Sequence, residues 1–325
     1  MADRKYYLGL DVGGTNLAAG VVDEDYNIIE KVSIPAGAGR SIDEIIDDMV
    51  RVSLDAVEKS GLKITDFSSW GIGMPSCVNS KTNLLVHANC FGWKNVPIYD
   101  YLNGRLPMPV HIENDANCAA YGEALAGAAK GHDNVLMLTL GTGVGGGIIL
   151  DGKIYAGADN MGAELGHTKL VYDGELCTCG QKGCMEAYCS STAVCRTASA
   201  AIKEHPQSMM VQLCSERHSE VNGKIIFDAA KAGDGVANEI VRNYIGYLAA
   251  GISSFITIFR PEIIVLGGGI AENGEFLLAP LRERVFSCTF GASEIGVPPI
   301  VKAHLGNDAG IIGAAFLEKK SSNKQ

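Results

Sequence analysis

The 325-residue chain carries 27 Lys and Arg against 37 Asp and Glu, for a net charge of −10, and 47% of it is hydrophobic. That length supports a substantial core in two lobes, and the acidic balance argues against a general nucleic-acid surface. No apolar run approaches the roughly 20 residues of a membrane span; the longest, over 249–259, is broken by Gly251, Ser253 and Ser254. Ten cysteines invite a disulfide reading. No signal-peptide pattern precedes the first strand-like segment, however, so a reduced, cytoplasmic protein with metal thiolates is expected.

In chain order, 6–12 reads as a buried strand ending at Gly13-Gly14-Thr15-Asn16. Residues 17–22 return as a second strand and 27–34 make a third. Ser41 and Glu44 form a capping box ahead of a helix with Ile42, Ile45, Ile46, Met49, Ser53 and Val57 on one side, and Gly61 is its stop. Two short strands follow at 69–74 and 110–113, then an Ala-rich helix at 117–129. The order repeats, with a strand at 134–140, a glycine turn over 141–147 and a return at 148–151. A helix over 237–259 precedes a strand at 261–266 and the turn Gly267-Gly268-Gly269. Two halves that each open strand, Gly/Thr turn, strand indicate a duplicated α/β unit able to hold a nucleotide between its glycine turns.

Asp11 to Asn16 and Gly141-Thr142-Gly143 are candidate phosphate loops, because glycines let backbone N–H groups approach an anion and threonine hydroxyls add donors. Neither is a Walker A loop. The G-x-G-x-x-G spacing of 141–146 is weak evidence, since a strand rather than a helix follows. Either turn alone would be an ordinary hairpin; together with Gly268 and Gly269 they favour nucleotide binding. Asp11 would hold Mg2+ through water. Asp115 reads either as a helix N-cap or as a general base for phosphoryl transfer. Asn114 would donate to and accept from the hydroxyls of a polyol, and Glu164 and Glu186 would accept further hydroxyl protons. Cys177, Cys179 and Cys184, ten residues after His167, make a Cys3His set suited to a closed structural zinc site. Gly180 and Gly183 supply the chain reversal, and the second ring nitrogen of His167 is left for substrate. A site rich in acceptors and short of cations suits a neutral sugar better than an organic acid.

These pieces, in this order and over nearly the full length, resemble the ROK family of sugar kinases and repressors, and its glucokinase type in particular. The resemblance rests on Asp11 to Thr15, Gly71 to Pro75, Glu113-Asn114-Asp115, Leu140 to Val144, Glu164 to His167, Cys177 to Glu186, Leu266 to Gly269 and Asp308 to Ala315. It implies a two-lobed, actin-like, hexokinase-type ATPase fold of duplicated ribonuclease H-like domains with a zinc-binding insertion. The small lobe would be 1–115, completed by a C-terminal helix over 308–325, and the large lobe 116–307, with the zinc motif at 167–184. It further implies ATP and Mg2+ as cofactors beside structural Zn2+, a hexose substrate, glucose first, and Asp115 as the base at the sugar 6-hydroxyl. Asn89, Asn114, Asp115, Glu164, His167 and Glu186 match sugar-contacting positions. His167, Cys177, Cys179 and Cys184 match the zinc ligands. Gly13, Gly14, Thr15, Asn16, Gly141, Thr142 and Gly143 match phosphate loops, and Gly268 and Gly269 the adenosine end. By analogy the protein is a homodimer or homotetramer.

Three departures bear on substrate choice. Ser76 follows Pro75 where the family usually has glycine, Gly162-Ala163 replaces the usual Ala-Gly before Glu164, and Asn89 lies farther from Trp93 than in many members. N-acetylmannosamine, fructose and allose therefore stay open beside glucose. A sugar-responsive repressor is not expected, because its DNA-binding domain would precede the core and the first phosphate loop already begins at Asp11.

Overall fold

The computed structural model describes residues 5–37 and 39–318. Strands β1 (Tyr6–Val12), β2 (Asn16–Asp23) and β3 (Ile28–Pro35) lead to helix α1 (Ile42–Ser60) and β4 (Phe67–Met74). A hairpin of β5 (Leu85–Ala88) and β6 (Trp93–Val96) follows, then α2 (Ile98–Leu102), β7 (Val110–Asn114) and α3 (Asp115–Ala126). Next come β8 (Val135–Leu140), β9 (Val144–Leu150) and β10 (Lys153–Ile154). After a stretch with little regular structure, the helices are α4 (Glu186–Cys189), α5 (Ser191–Glu204), α6 (Met209–Glu216), α7 (Gly223–Lys231) and α8 (Gly235–Phe259). The last elements are β11 (Ile263–Gly267), α9 (Glu275–Cys288), α10 (Ala292–Ile295), β12 (Ile300–Lys302) and α11 (Asp308–Ala315). Among the described residues no helix is long and apolar enough to cross a membrane.

The chain divides into two compact units. The first takes in residues up to Leu136, then 147–163, then His304 onward; the second holds 137–146 and 164–303. In the first unit a sheet has the order β3-β2-β1-β4-β7. β1, β2 and β3 pair antiparallel, while β1, β4 and β7 run parallel. Alternation along β1 decides what covers each face. Leu8 and Leu10 join the core that includes Ile45, Ile46, Met49 and Val52 of α1, and burying each such side chain is worth roughly 1.5–3 kcal/mol. Ser41 and Glu44 close the expected capping box, and Gly61 ends α1 at φ 74°.

Gly9, between those leucines, faces α11 instead. A Cβ there would lie 2.2 Å from the Ile311 carbonyl oxygen, and one on Gly71 of β4 would lie 1.8 Å from that of Ala314. The glycines thus let helix backbone rest directly on strand backbone. α11 also packs on α3, where a Cβ on Gly313 would strike the Cys118 carbonyl. The helix expected over 308–325 runs to Ala315, and 319–325 lie outside the described residues.

The second sheet has the order β10-β9-β8-β11-β12, with β9 and β10 antiparallel and β11 and β12 parallel. The division between units passes through β8 and β9. Gly145 to Gly147, expected in a turn, belong to β9. They are small because neighbours lie close: a Cβ on Gly146 would meet Leu165, and one on Gly147 would meet Ala116 and Ala120 of α3. α3 also shifts from its expected bounds. It starts at Asp115 because Asn114 caps it, and it ends at Ala126, where Glu123 Oε2 takes the Ala128 N–H at 2.6 Å.

Candidate active site

In the first unit, Asp11 is near the end of β1 and Gly13 to Thr15 form the turn into β2. The Gly13 N–H closes the turn on the Asn16 carbonyl at 2.9 Å, and the Thr15 carbonyl accepts the Ala36 N–H at 2.8 Å. These bonds tie the loop down from behind. Gly14 abuts Cys90, to whose Cβ an added Cβ would come within 2.9 Å. Cys90 follows Asn89 in the short helical turn between β5 and β6. Burial, then the negative charge of Asp115, pushes the Asp11 carboxyl up to about 7. Burial also raises the Cys90 thiol, with Asp115 contributing. The unit therefore gathers Asp11, the 13–16 turn, the 89–90 turn and Asp115 into one neighbourhood.

Asp115 is the first residue of α3 and not its cap. Asn114 caps the helix, its Oδ1 accepting the Ala116 and Asn117 N–H groups at 2.9 and 3.1 Å. That corrects the expectation for Asn114 as both donor and acceptor, since capping occupies its oxygen and leaves the Nδ2 donor for a ligand. The Asp115 Oδ1 accepts the Ala116 N–H at 2.7 Å, which fixes the carboxylate at a helix N-terminus where anionic charge is favoured. Behind them Glu113 is buried, and its Oε1 accepts from the Asn114 N–H at 3.0 Å, Asn117 Nδ2 at 3.1 Å and Asn160 Nδ2 at 3.4 Å. Ser76 is buried too, and its Oγ accepts the His87 N–H at 3.2 Å. The hydroxyl that replaces glycine thus ties β5 to the end of β4.

In the second unit the 141–143 turn is also held from behind. The Ser191 N–H donates to the Gly141 carbonyl at 2.8 Å, Thr192 Oγ1 to the Thr142 carbonyl at 2.7 Å, and the Gly141 N–H to the Gly143 carbonyl at 3.0 Å. The Val144 N–H donates to Glu186 Oε2 at 3.0 Å. With those groups tied, the Thr142 and Gly143 N–H groups have no bond among the described residues, the arrangement of an anion-binding nest. Gly268 closes the third turn at φ 84°, with the Leu140 carbonyl 2.5 Å from where a Cβ would stand, so only glycine fits; Gly269 borders open space.

His167 and the three cysteines converge, with their ligand atoms within 4.8 Å of one another. His167 Nδ1 lies 3.6 Å from Cys177 Sγ, and Cys179 Sγ lies 3.7 Å from Cys184 Sγ. A tetrahedral ion with bonds of about 2.3 Å to sulfur and about 2.0 Å to nitrogen requires S···N of about 3.6 Å and S···S of about 3.8 Å. The donor set therefore fits such an ion. Burial pushes the Cys177 thiol up to about 12, so a cation is what would hold its thiolate. The backbone bonds 2.8 Å from Cys177 N–H to the Gln181 carbonyl and 2.9 Å from Gly180 N–H to the Cys177 carbonyl shape the reversal. The Nδ1 edge of His167 faces the cysteines and leaves Nε2 on the other edge. Gly166 carries this segment against β9, since a Cβ there would lie 1.9 Å from the Val144 carbonyl. Glu164 is exposed at its start, just after Ala163 at φ 66°.

The ROK family model matches residues 7–321. The chain belongs to the ROK family. It is 36% identical to a glucokinase of Thermotoga maritima over 96% of this chain and 97% of that one. The crystal structure of a ROK family glucokinase from Streptomyces griseus, in complex with glucose and AMPPNP, superposes with a TM-score of 0.82 at 35% identity, covering 96% of this chain and 98% of that one. A ROK hexokinase from Thermus thermophilus superposes with a TM-score of 0.83 at 31% identity, covering 98% and 100%. The mixed α/β fold is thus that of the ROK sugar kinases. Sequence reasoning passed over Glu113, Asn160, Thr178 and Thr192 as site supports. Glu113 and Thr178, each inside a matched motif, were the two with a signal.

Proposed function

We propose that the protein catalyses ATP-dependent phosphorylation of a hexose at its 6-hydroxyl, with glucose the leading acceptor. The observation that carries this reading is the grouping of Asp115 with Asp11 and the 13–16 turn, which joins a base to a phosphate-facing loop. Similarity to relatives named for glucose and an ATP analogue supports the same acceptor and donor.

In this reading Asp115 accepts the proton of the 6-hydroxyl as that oxygen bonds to the terminal phosphorus of ATP and the bond from that phosphorus to the bridging oxygen breaks, so that ADP leaves. Asn114 donates through Nδ2 to a neighbouring sugar hydroxyl. Asn89, Glu164, Glu186 and His167, through Nε2, take the remaining hydroxyls and fix the ring's register, so that only one oxygen faces the phosphate. The amides of Gly14 and Thr15, and those of Thr142 and Gly143, would bind phosphate oxygens, while Gly13, Asn16 and Gly141 shape the turns that carry them. Gly269, which borders open space, would leave room for the adenosine, and Gly268 shapes the turn beside it. Asp11 would hold Mg2+, which would neutralise phosphate charge. His167, Cys177, Cys179 and Cys184 would hold Zn2+, and their shared ligation would brace the segments carrying Glu164 and Glu186. The like order of strands in the two sheets supports the duplicated, actin-like reading.

The test is a coupled ADP-release assay with Mg-ATP against glucose, N-acetylmannosamine, fructose, mannose and allose. Highest kcat/KM on glucose is expected. A higher value on another hexose would move the acceptor while keeping the chemistry, and no turnover on any of them would defeat the reading.

A further inference from the structure

Thr178 stands between two of the clustered cysteines, and its side chain does something a spacer need not do. Its Oγ1 donates to Glu186 Oε1 at 2.6 Å. The other oxygen of that carboxylate accepts the Val144 N–H at 3.0 Å, and Gly143 is so near that a Cβ there would lie 2.5 Å from it. Cys177 Sγ approaches Oε1 at 3.3 Å. Glu186, 9% exposed, therefore touches the Cys/His cluster along one edge and the 141–144 turn along the other. A carboxylate is planar, so a donor that fixes Oε1 also fixes the direction in which Oε2 meets the turn.

The turn's other two anchors to the same stretch of chain, Ser191 and Thr192, hold carbonyls. The Glu186 contact instead holds an N–H, the one next in sequence to the unbonded amides of Thr142 and Gly143. If that N–H rotates outward, the neighbouring peptide planes rotate with it, and the nest loses its shape.

We propose that Thr178 is a positioning residue: by orienting Glu186 it makes the Cys/His cluster and the second glycine turn one mechanical piece, so that the cluster sets the geometry of a phosphate-binding loop. The phosphate part rests on the kinase reading above, whereas the mechanical coupling does not. It also alters what the cluster supports, since metal there would brace the nucleotide side of the site as well as the sugar side.

The experiment compares wild type, Thr178→Val and Thr178→Ser, each full length and with metal content measured. Amide hydrogen exchange is followed over 141–147, and Mg-AMPPNP affinity by calorimetry. Hydrogen bonds to charged groups are among the stronger ones, though this one is reachable by water. Thr178→Val should speed exchange of the hydrogen-bonded amides of the turn, Val144 above all, about tenfold and weaken AMPPNP about five- to tenfold. KM for ATP should rise more than KM for the hexose, with metal content unchanged. Thr178→Ser should restore wild-type behaviour, and chelating the metal from wild type should speed exchange in the same amides. Wild-type exchange in Thr178→Val overturns the proposal, as does a variant that merely loses its metal. Faster exchange in Thr178→Val, in a protein whose wild type phosphorylates no hexose, would leave the coupling standing and remove the kinase reading alone.

Discussion

Replacing Asp11 with Asn should make the protein more stable, increasingly so as pH rises, while weakening it as a catalyst. The Asp11 carboxyl is raised from 3.8 to about 7 by burial and then by Asp115. A folded-state value above the unfolded one means that the folded state holds the proton more tightly. The associated stability is fully present below the unfolded value and is lost as pH rises through about 7. About three pH units at 1.36 kcal/mol each give an upper limit of about 4 kcal/mol, of which roughly 2–3 kcal/mol falls between pH 5 and pH 8. Asn carries no charge to bury, so the variant escapes that loss. Urea unfolding of both proteins at pH 5 and pH 8, without nucleotide or Mg2+, reads the difference directly. The advantage of the variant should grow by roughly 2–3 kcal/mol across that interval. An advantage that stays constant, or shrinks with pH, would refute the idea that an ionised Asp11 is strained in the free protein. A cation beside Asp11 would relieve that strain.

Three further outcomes follow from the geometry. Cys179→Ser should lower metal content, measured by elemental analysis, and weaken glucose binding in calorimetry; full metal content with unchanged glucose affinity would remove the ligand assignment. Ala163 holds φ 66°, a region costing an L-residue roughly 1–2 kcal/mol, against roughly 0.5–1 kcal/mol for the extra freedom of an unfolded glycine. Ala163→Gly should therefore leave urea stability unchanged or raise it by up to about 1 kcal/mol, and a clear loss would argue against that backbone geometry. Ser41→Ala removes the α1 cap and should reduce stability by about 1 kcal/mol without changing hexose or ATP affinity.

What could be read from the sequence was local. The capping box of α1, its Gly61 stop and the three-strand opening all depend on residues within a turn or a hairpin of each other. The Cys/His set was legible for the same reason, since its thiols span eight positions. The hairpin of β5 and β6 was not, because four-residue strands give too short an alternation to stand out. α9 was hidden by Pro280, which breaks the helical pattern. Contacts across long separations left no sequence trace. Val144 meets Glu186 across 42 positions and Glu113 meets Asn160 across 47. Asn114 shows a subtler limit, since its residue type suits both a cap and a sugar contact, and only the fold divides its oxygen from its nitrogen.

The central claim is that Asp115 acts as the base in hexose phosphorylation, and Asp115→Ala tests it most directly. Glucose binding by calorimetry and turnover in the ADP-release assay are measured on the same preparation. The account predicts glucose affinity within a few-fold of wild type and kcat lower by roughly 10²–10⁴, the range of general-base catalysis. Near-normal kcat in the variant would contradict it.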